Sequence, residues 1–177
     1  MDHYNYFKNS FGNRDIVFDT ILNHFRPAPI SILEIGCARD LNKGSRDSDG
    51  WSSIHWADYV KEYGGTIDIV DISEESISNC RHLLKEISGF ASFHINGRWN
   101  QWDGYDVIFL DAGDDPDLML SQFKKCEDKA VILCDDFHQK GSKLKEYRKP
   151  DTIWIWNNGH EMGCYGISLG EIHLKIK

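Results

Sequence analysis

Proline is scarce in this 177-residue chain, with only four, and no apolar run approaches the roughly 18 residues that a membrane-crossing helix needs. The first ten residues, MDHYNYFKNS, lack the basic start and apolar stretch of a secretion signal. Basic residues are outnumbered: 20 Lys and Arg against 28 Asp and Glu leave a formal net charge of −8. Such a surface repels phosphate backbones, which argues against a general nucleic-acid binder. The five cysteines (Cys37, Cys80, Cys126, Cys134 and Cys164) are odd in number and include no C-x-x-C pair. That argues against a disulfide framework or a structural zinc site, and favours reduced, buried thiols as expected of a cytoplasmic protein. Internal repeats and Pro/Gly/Ser-rich linkers are also missing, so the expectation is one domain over residues 1–177. What is present, 41% hydrophobic and 27% charged residues, is globular composition.

Along the chain, apolar β-rich runs alternate with amphipathic segments. Residues 15–25 have helical spacing and stop at Pro27 and Pro29, so residues 1–29 read as an N-terminal helical extension. Strands are expected at 30–35, 66–72, 90–95, 105–110 and 130–134. Between them, residues 51–63 form a helix closed by Gly64-Gly65, Ser73 caps the next, and Asp115-Pro116 opens another. Residues 153–156 and 164–169, joined through Asn157-Asn158-Gly159, read as a closing hairpin. The order predicts an α/β fold: a Rossmann-like, doubly wound, mostly parallel seven-stranded sheet with a C-terminal antiparallel hairpin. In such sheets ligands bind beyond the carboxyl ends of the strands, at the switch in strand order.

The strand ends are where chemistry-bearing residues gather. Glu34-Ile35-Gly36 closes the first strand, and the G-x-G-x-x-G pattern of a dinucleotide site is lacking there, since no glycine returns until Gly44. Asp71 ends the second strand, placed to accept hydrogen bonds from a ribose diol. Asp111 follows the fourth strand, and Asp135 and Asp136 follow the fifth. Acids at the ends of neighbouring strands converge and repel unless a cation or protons intervene. Oxygen ligands of this kind suit Mg²⁺, Mn²⁺ or Ca²⁺, and His138 nearby would favour a softer ion.

With Ile32-Leu33-Glu34-Ile35-Gly36, Val70-Asp71-Ile72, the 105–111 strand and Ile132-Leu133-Cys134-Asp135-Asp136 in this order, the sequence resembles the class I S-adenosylmethionine-dependent methyltransferases. It is most similar to the metal-dependent O-methyltransferases of the catechol and caffeoyl-coenzyme A type and the related sugar methyltransferases. The resemblance covers roughly residues 30–136. It implies that Glu34, Gly36, Gly50, Trp51 and Ser52 border the methionine part of the cofactor, and that Asp71 and Ile72 hold ribose and adenine. Asn96 and Gly97 would border the base, Asp111 would sit beside the cofactor, and Asp111, Asp135 and Asp136 would ligate the metal. Two departures stand out: an insert at 37–49, read as a flap loop, and Asp114 where the catechol-type enzymes carry a lysine base. Asp111, Asp114 and His138 are therefore the expected catalytic residues, with His138 the first choice of base and His160 a further candidate. Trp51 is expected to touch ligand and Trp154 to fill core, while Trp99 and Trp102 are candidates for lining the cleft. The implied acceptor is a hydroxyl of a small molecule or glycan, with a homodimer as one way to close the cleft. A metal-independent methyltransferase and a non-catalytic cofactor-binding subunit or sensor remain the alternatives.

Overall fold

The computed structural model describes residues 14–41, 51–156 and 160–167. In chain order it forms α1 (Arg14–Phe25), β1 (Ile30–Ile35), α2 (Ser52–Tyr63), β2 (Gly65–Asp71), α3 (Glu74–Leu83), β3 (Ala91–Ile95) and β4 (Val107–Leu110). Then follow α4 (Pro116–Cys126), β5 (Val131–Cys134), α5 (Phe137–Lys140), α6 (Ser142–Tyr147), β6 (Thr152–Trp156) and β7 (His160–Tyr165). The helix starts follow the sequence chemistry: the Ser73 hydroxyl accepts from the Ser76 N–H at 3.1 Å, and the Asp115 carboxylate accepts from the Asp117 N–H at 2.9 Å.

The sheet has seven strands in the order β3-β2-β1-β4-β5-β7-β6, with β1 to β5 parallel and β7 antiparallel to both β5 and β6. This is the expected doubly wound α/β sheet with its closing antiparallel hairpin. Strand alternation assigns the two cores. Ile30, Ile32, Ile67, Ile69, Val107, Phe109 and Leu133 face α1, α2 and α3, whereas Leu33, Ile35, Val70, Ile108, Leu110, Ile132 and Cys134 face the opposite layer with Met119, Phe123, Phe137 and Leu144. The chain order reverses between β1 and β4, and this is the position that opens a crevice at the carboxyl edge.

Two elements depart from the sequence expectation. The last strand begins at His160, not 164, and ends at Tyr165; its expected end at 168–169 and the turn at 157–159 lie outside the described residues. Gly163 hides this strand in the sequence, yet the position needs a glycine because a Cβ there would stand 2.9 Å from the Phe137 ring. Helices α5 and α6 went unanticipated; at four and six residues they are too short for helical periodicity to register.

Candidate active site

The carboxyl ends of β3, β2, β1 and β4 enclose a cleft of about 790 Å³, within the usual size of a small-molecule site. Backbone hydrogen bonds continue past the strand ends to fix its floor: the Gly36 N–H donates to Val70 O at 2.8 Å, Asp111 N–H to Ile35 O at 2.8 Å, and Asn96 N–H to Asp71 O at 2.9 Å. Gly36 has φ +88°, and a Cβ there would lie 2.6 Å from Asp111 O. Only glycine lets the β1 and β4 exits come this close while the backbone bends in the left-handed region.

Asp71 lines the cleft between them. Its Oδ1 accepts from the Ser73 N–H at 2.8 Å and its Oδ2 from the Cys37 N–H at 3.1 Å. A carboxylate offers about four lone-pair sites, so two backbone bonds fix its orientation and leave capacity for a diol. The Cys37 thiol, beside Cys80 and buried, is pushed far above its ordinary pKa by the contact with Cys80 and then by desolvation. It remains a protonated, inert wall.

The opposite wall carries Asn96, Gly97, Arg98, Trp99 and Trp102, with Leu118, Ser121, Gln122 and Lys125 of α4. Trp99 is set by a network that the sequence did not reveal. Its ring packs on His94 at 4.8 Å, His94 Nε2 meets Asp68 Oδ1 at 2.9 Å, and the Tyr105 hydroxyl donates to Asp68 Oδ2 at 2.9 Å. Two buried polar atoms of this wall, Trp99 Nε1 and Gln122 Oε1, have no hydrogen-bond partner among the described residues. Both atoms are closed off from solvent as the side chains stand, so it is the Trp99 ring, not these two atoms, that the wall offers to a ligand in the cleft.

Lys140 changes the reading of the acidic strand ends. The Asp111, Asp135 and Asp136 carboxylates do converge, with one oxygen from each within 4.8 Å of the others. Between them stands the Lys140 ammonium, 1% exposed, at 2.9 Å from Asp111 Oδ1 and 3.4 Å from Asp136 Oδ2. Burial alone would lower its pKa, but Asp111, Asp136 and Asp135 outweigh that and hold the pKa above its ordinary value. The cation that three converging carboxylates demand is thus a lysine, and the set does not fit a divalent ion while that ammonium is in place. A lysine five residues beyond Asp135 is a signal the sequence did contain; only the one-turn helix α5 turns it back toward the acids.

Of the other expected residues, Gly36, Asp71, Ile72, Asn96, Gly97, Asp111 and Asp114 line the cleft. Glu34, Trp51 and Ser52 do not. Glu34 belongs to the same strand face as Ile30 and Ile32, fully buried against α2, where both its oxygens accept hydrogen bonds from the Ser52 and Ser53 hydroxyls. It ties β1 to the start of α2, where the helix dipole also favours a negative charge. Burial pushes its pKa up to about 7, in spite of the Ser52 and Ser53 hydroxyls. Trp51 is core, fully buried, and Trp154 packs against the same core as expected. His138 is outside the cleft, its ring 5.5 Å from that of His160. Gly50 and residues 42–49 of the expected flap lie outside the described residues, and the insert's first part is held by Asn79 Nδ2 donating to Arg39 O at 2.7 Å.

No protein-family profile matches the chain, and no curated protein does. Solved structures do. A putative rRNA methylase from Clostridium thermocellum superposes with a TM-score of 0.56 at 12% identity, covering 84% of this chain and 94% of that one. The bifunctional kinase–methyltransferase WbdD gives 0.55 at 17% identity over 85% of this chain, which spans only 39% of that protein's length. An RNA methyltransferase from Salinibacter ruber, solved with S-adenosyl-L-homocysteine, gives 0.54 at 13% identity, covering 87% and 92%. The likeness is one of fold. The chain has the Rossmann-like architecture of these methyltransferases, and its cleft lies at the topological switch point of that architecture.

Proposed function

We propose that the protein transfers a methyl group from S-adenosylmethionine to a hydroxyl of a small molecule or sugar, without a divalent cation at the acidic strand ends. The observation that carries this reading is the cleft itself. An oriented acceptor, Asp71, shares the cleft with the aromatic side chains Trp99 and Trp102. The lining fits the cofactor: Asp71 for the ribose diol, and the Trp99 ring as a stacking face for the adenine. When bound, the cofactor supplies a methyl already activated by its sulfonium charge.

The chain's own task is then alignment and proton removal, and alignment alone contributes several kcal/mol. Asp111 and Asp114 both reach the cleft, and Lys140 fixes Asp111 from behind. Asp114, the acid of this pair for which no ammonium contact is found among the described residues, would take the proton that the acceptor hydroxyl gives up on transfer. Lys140 remains charged and serves as a positioning residue.

Calorimetry with S-adenosylhomocysteine tests the cofactor, with Asp71→Ala expected to weaken binding at least about tenfold. Methyl transfer to a panel of sugar and phenol hydroxyls, with RNA as a further arm, tests the acceptor. Transfer is expected to be indifferent to added Mg²⁺. Absence of cofactor binding would end the reading, whereas tight binding with no turnover on any acceptor would favour a non-catalytic sensor.

A further inference from the structure

The same edge of the sheet carries a second cluster, outside the cleft. β7 runs antiparallel to β5 with Cys134 opposite Gly163, so continuing the register sets His160 beside the start of α5. There His138, His160 and Asp136 each bring a ligand atom within 4.8 Å of the others. Asp136 Oδ1 is 3.3 Å from His160 Nδ1, and the two imidazole rings meet edge to face.

The turn that holds this cluster is closely packed. Phe137, fully buried, seats its ring against Gly141 and Gly163, where added Cβ atoms would stand 2.3 and 2.9 Å from the ring. The α5 turn, with His138 and Lys140 on it, therefore has little freedom to shift. The charge balance is also incomplete: Asp111, Asp135 and Asp136 bring three negative charges against the one of Lys140, which leaves −2 with neutral histidines.

We propose that His138, His160 and Asp136 form a binding site for a borderline divalent transition cation of the Zn²⁺ or Co²⁺ type. Two imidazoles and one carboxylate are a ligand set for such ions and a poor one for Mg²⁺, and a dication there balances the residual charge without displacing Lys140. Asp136 bridges the two centres, one oxygen toward the imidazoles and the other toward the ammonium. The ion ties the β6–β7 hairpin to the end of β5.

Titration of the full chain with Co²⁺, read by its visible absorption, and with Zn²⁺, read by calorimetry, tests this independently of the cofactor. The expected result is one ion per chain, a preference for both over Mg²⁺, and at least about tenfold weaker binding in His138→Ala and in His160→Ala. His138→Gln and His160→Gln, which keep side-chain bulk, serve if an alanine variant fails to fold. Absence of Co²⁺ and Zn²⁺ binding overturns the proposal, as does binding left unchanged in both histidine variants. Either result leaves the S-adenosylhomocysteine measurement untouched.

Discussion

At the scale of single residues, two buried charged groups, Lys140 beside the cleft and Glu34 in the core, carry the clearest consequences. Lys140 converts a cluster that reads as a cation site into one that carries its own cation. Its removal in Lys140→Met should lower stability toward the low end of about 3–5 kcal/mol, because Asp136 is 31% exposed and water can take up part of its charge. Chemical denaturation measures that loss. The same variant should gain stabilisation from millimolar Mg²⁺ that the parent lacks; equal Mg²⁺ responses would mean the ammonium does not guard the acids. Glu34 acts through folding. The folded chain keeps its proton up to about 7, whereas an unfolded carboxyl releases it near its ordinary value of 4.5. Between those limits the folded state binds more protons, so this residue's contribution falls as pH rises. Glu34→Gln should remove a loss on the order of 3 kcal/mol across that window, seen as a flatter stability–pH profile than the parent's. A parent and variant that lose stability in parallel would contradict the buried placement.

At the scale of elements, close backbone approach decides what the strand ends can hold. Gly36→Ala combines a left-handed φ with a Cβ 2.6 Å from a backbone oxygen of the next strand exit. The β1 and β4 ends must separate to admit it. The expected cost is about 1–3 kcal/mol in denaturant unfolding, with weaker S-adenosylhomocysteine binding besides. Gly141→Ala should cost a similar amount through the Phe137 ring and main chain, and should loosen α5. Element by element, the sequence was most legible where periodicity is long and caps are explicit: Ser73, Asp115-Pro116 and the five parallel strands all stand within a residue or two of their expected places. It was least legible at α5, α6 and β7, whose short lengths and glycine interruptions follow from packing around Phe137, a contact between residues 26 positions apart.

At the scale of the whole molecule, the fold gives an acidic chain a cleft at its topological switch point. A ligand that binds there and not to the unfolded chain must stabilise the whole domain. S-adenosylhomocysteine at a hundredfold its Kd should raise the unfolding free energy by about 2.7 kcal/mol, and Asp71→Ala at the same concentration should lose most of that gain. A ligand-independent melting temperature would remove the cleft from consideration. The order of β-ends bearing Gly36, Asp71 and Asp111 is written in local patterns, because strand alternation and caps depend on near neighbours in the chain. The sequence by itself therefore determined the sheet, its direction and which acids reach its carboxyl edge. Only the tertiary structure decided the side-chain roles at that edge. It turned Glu34 inward to the serines of α2, set Lys140 among the acids, and brought His160 to His138, because facing, burial and counter-charge depend on residues that meet only once the sheet has closed.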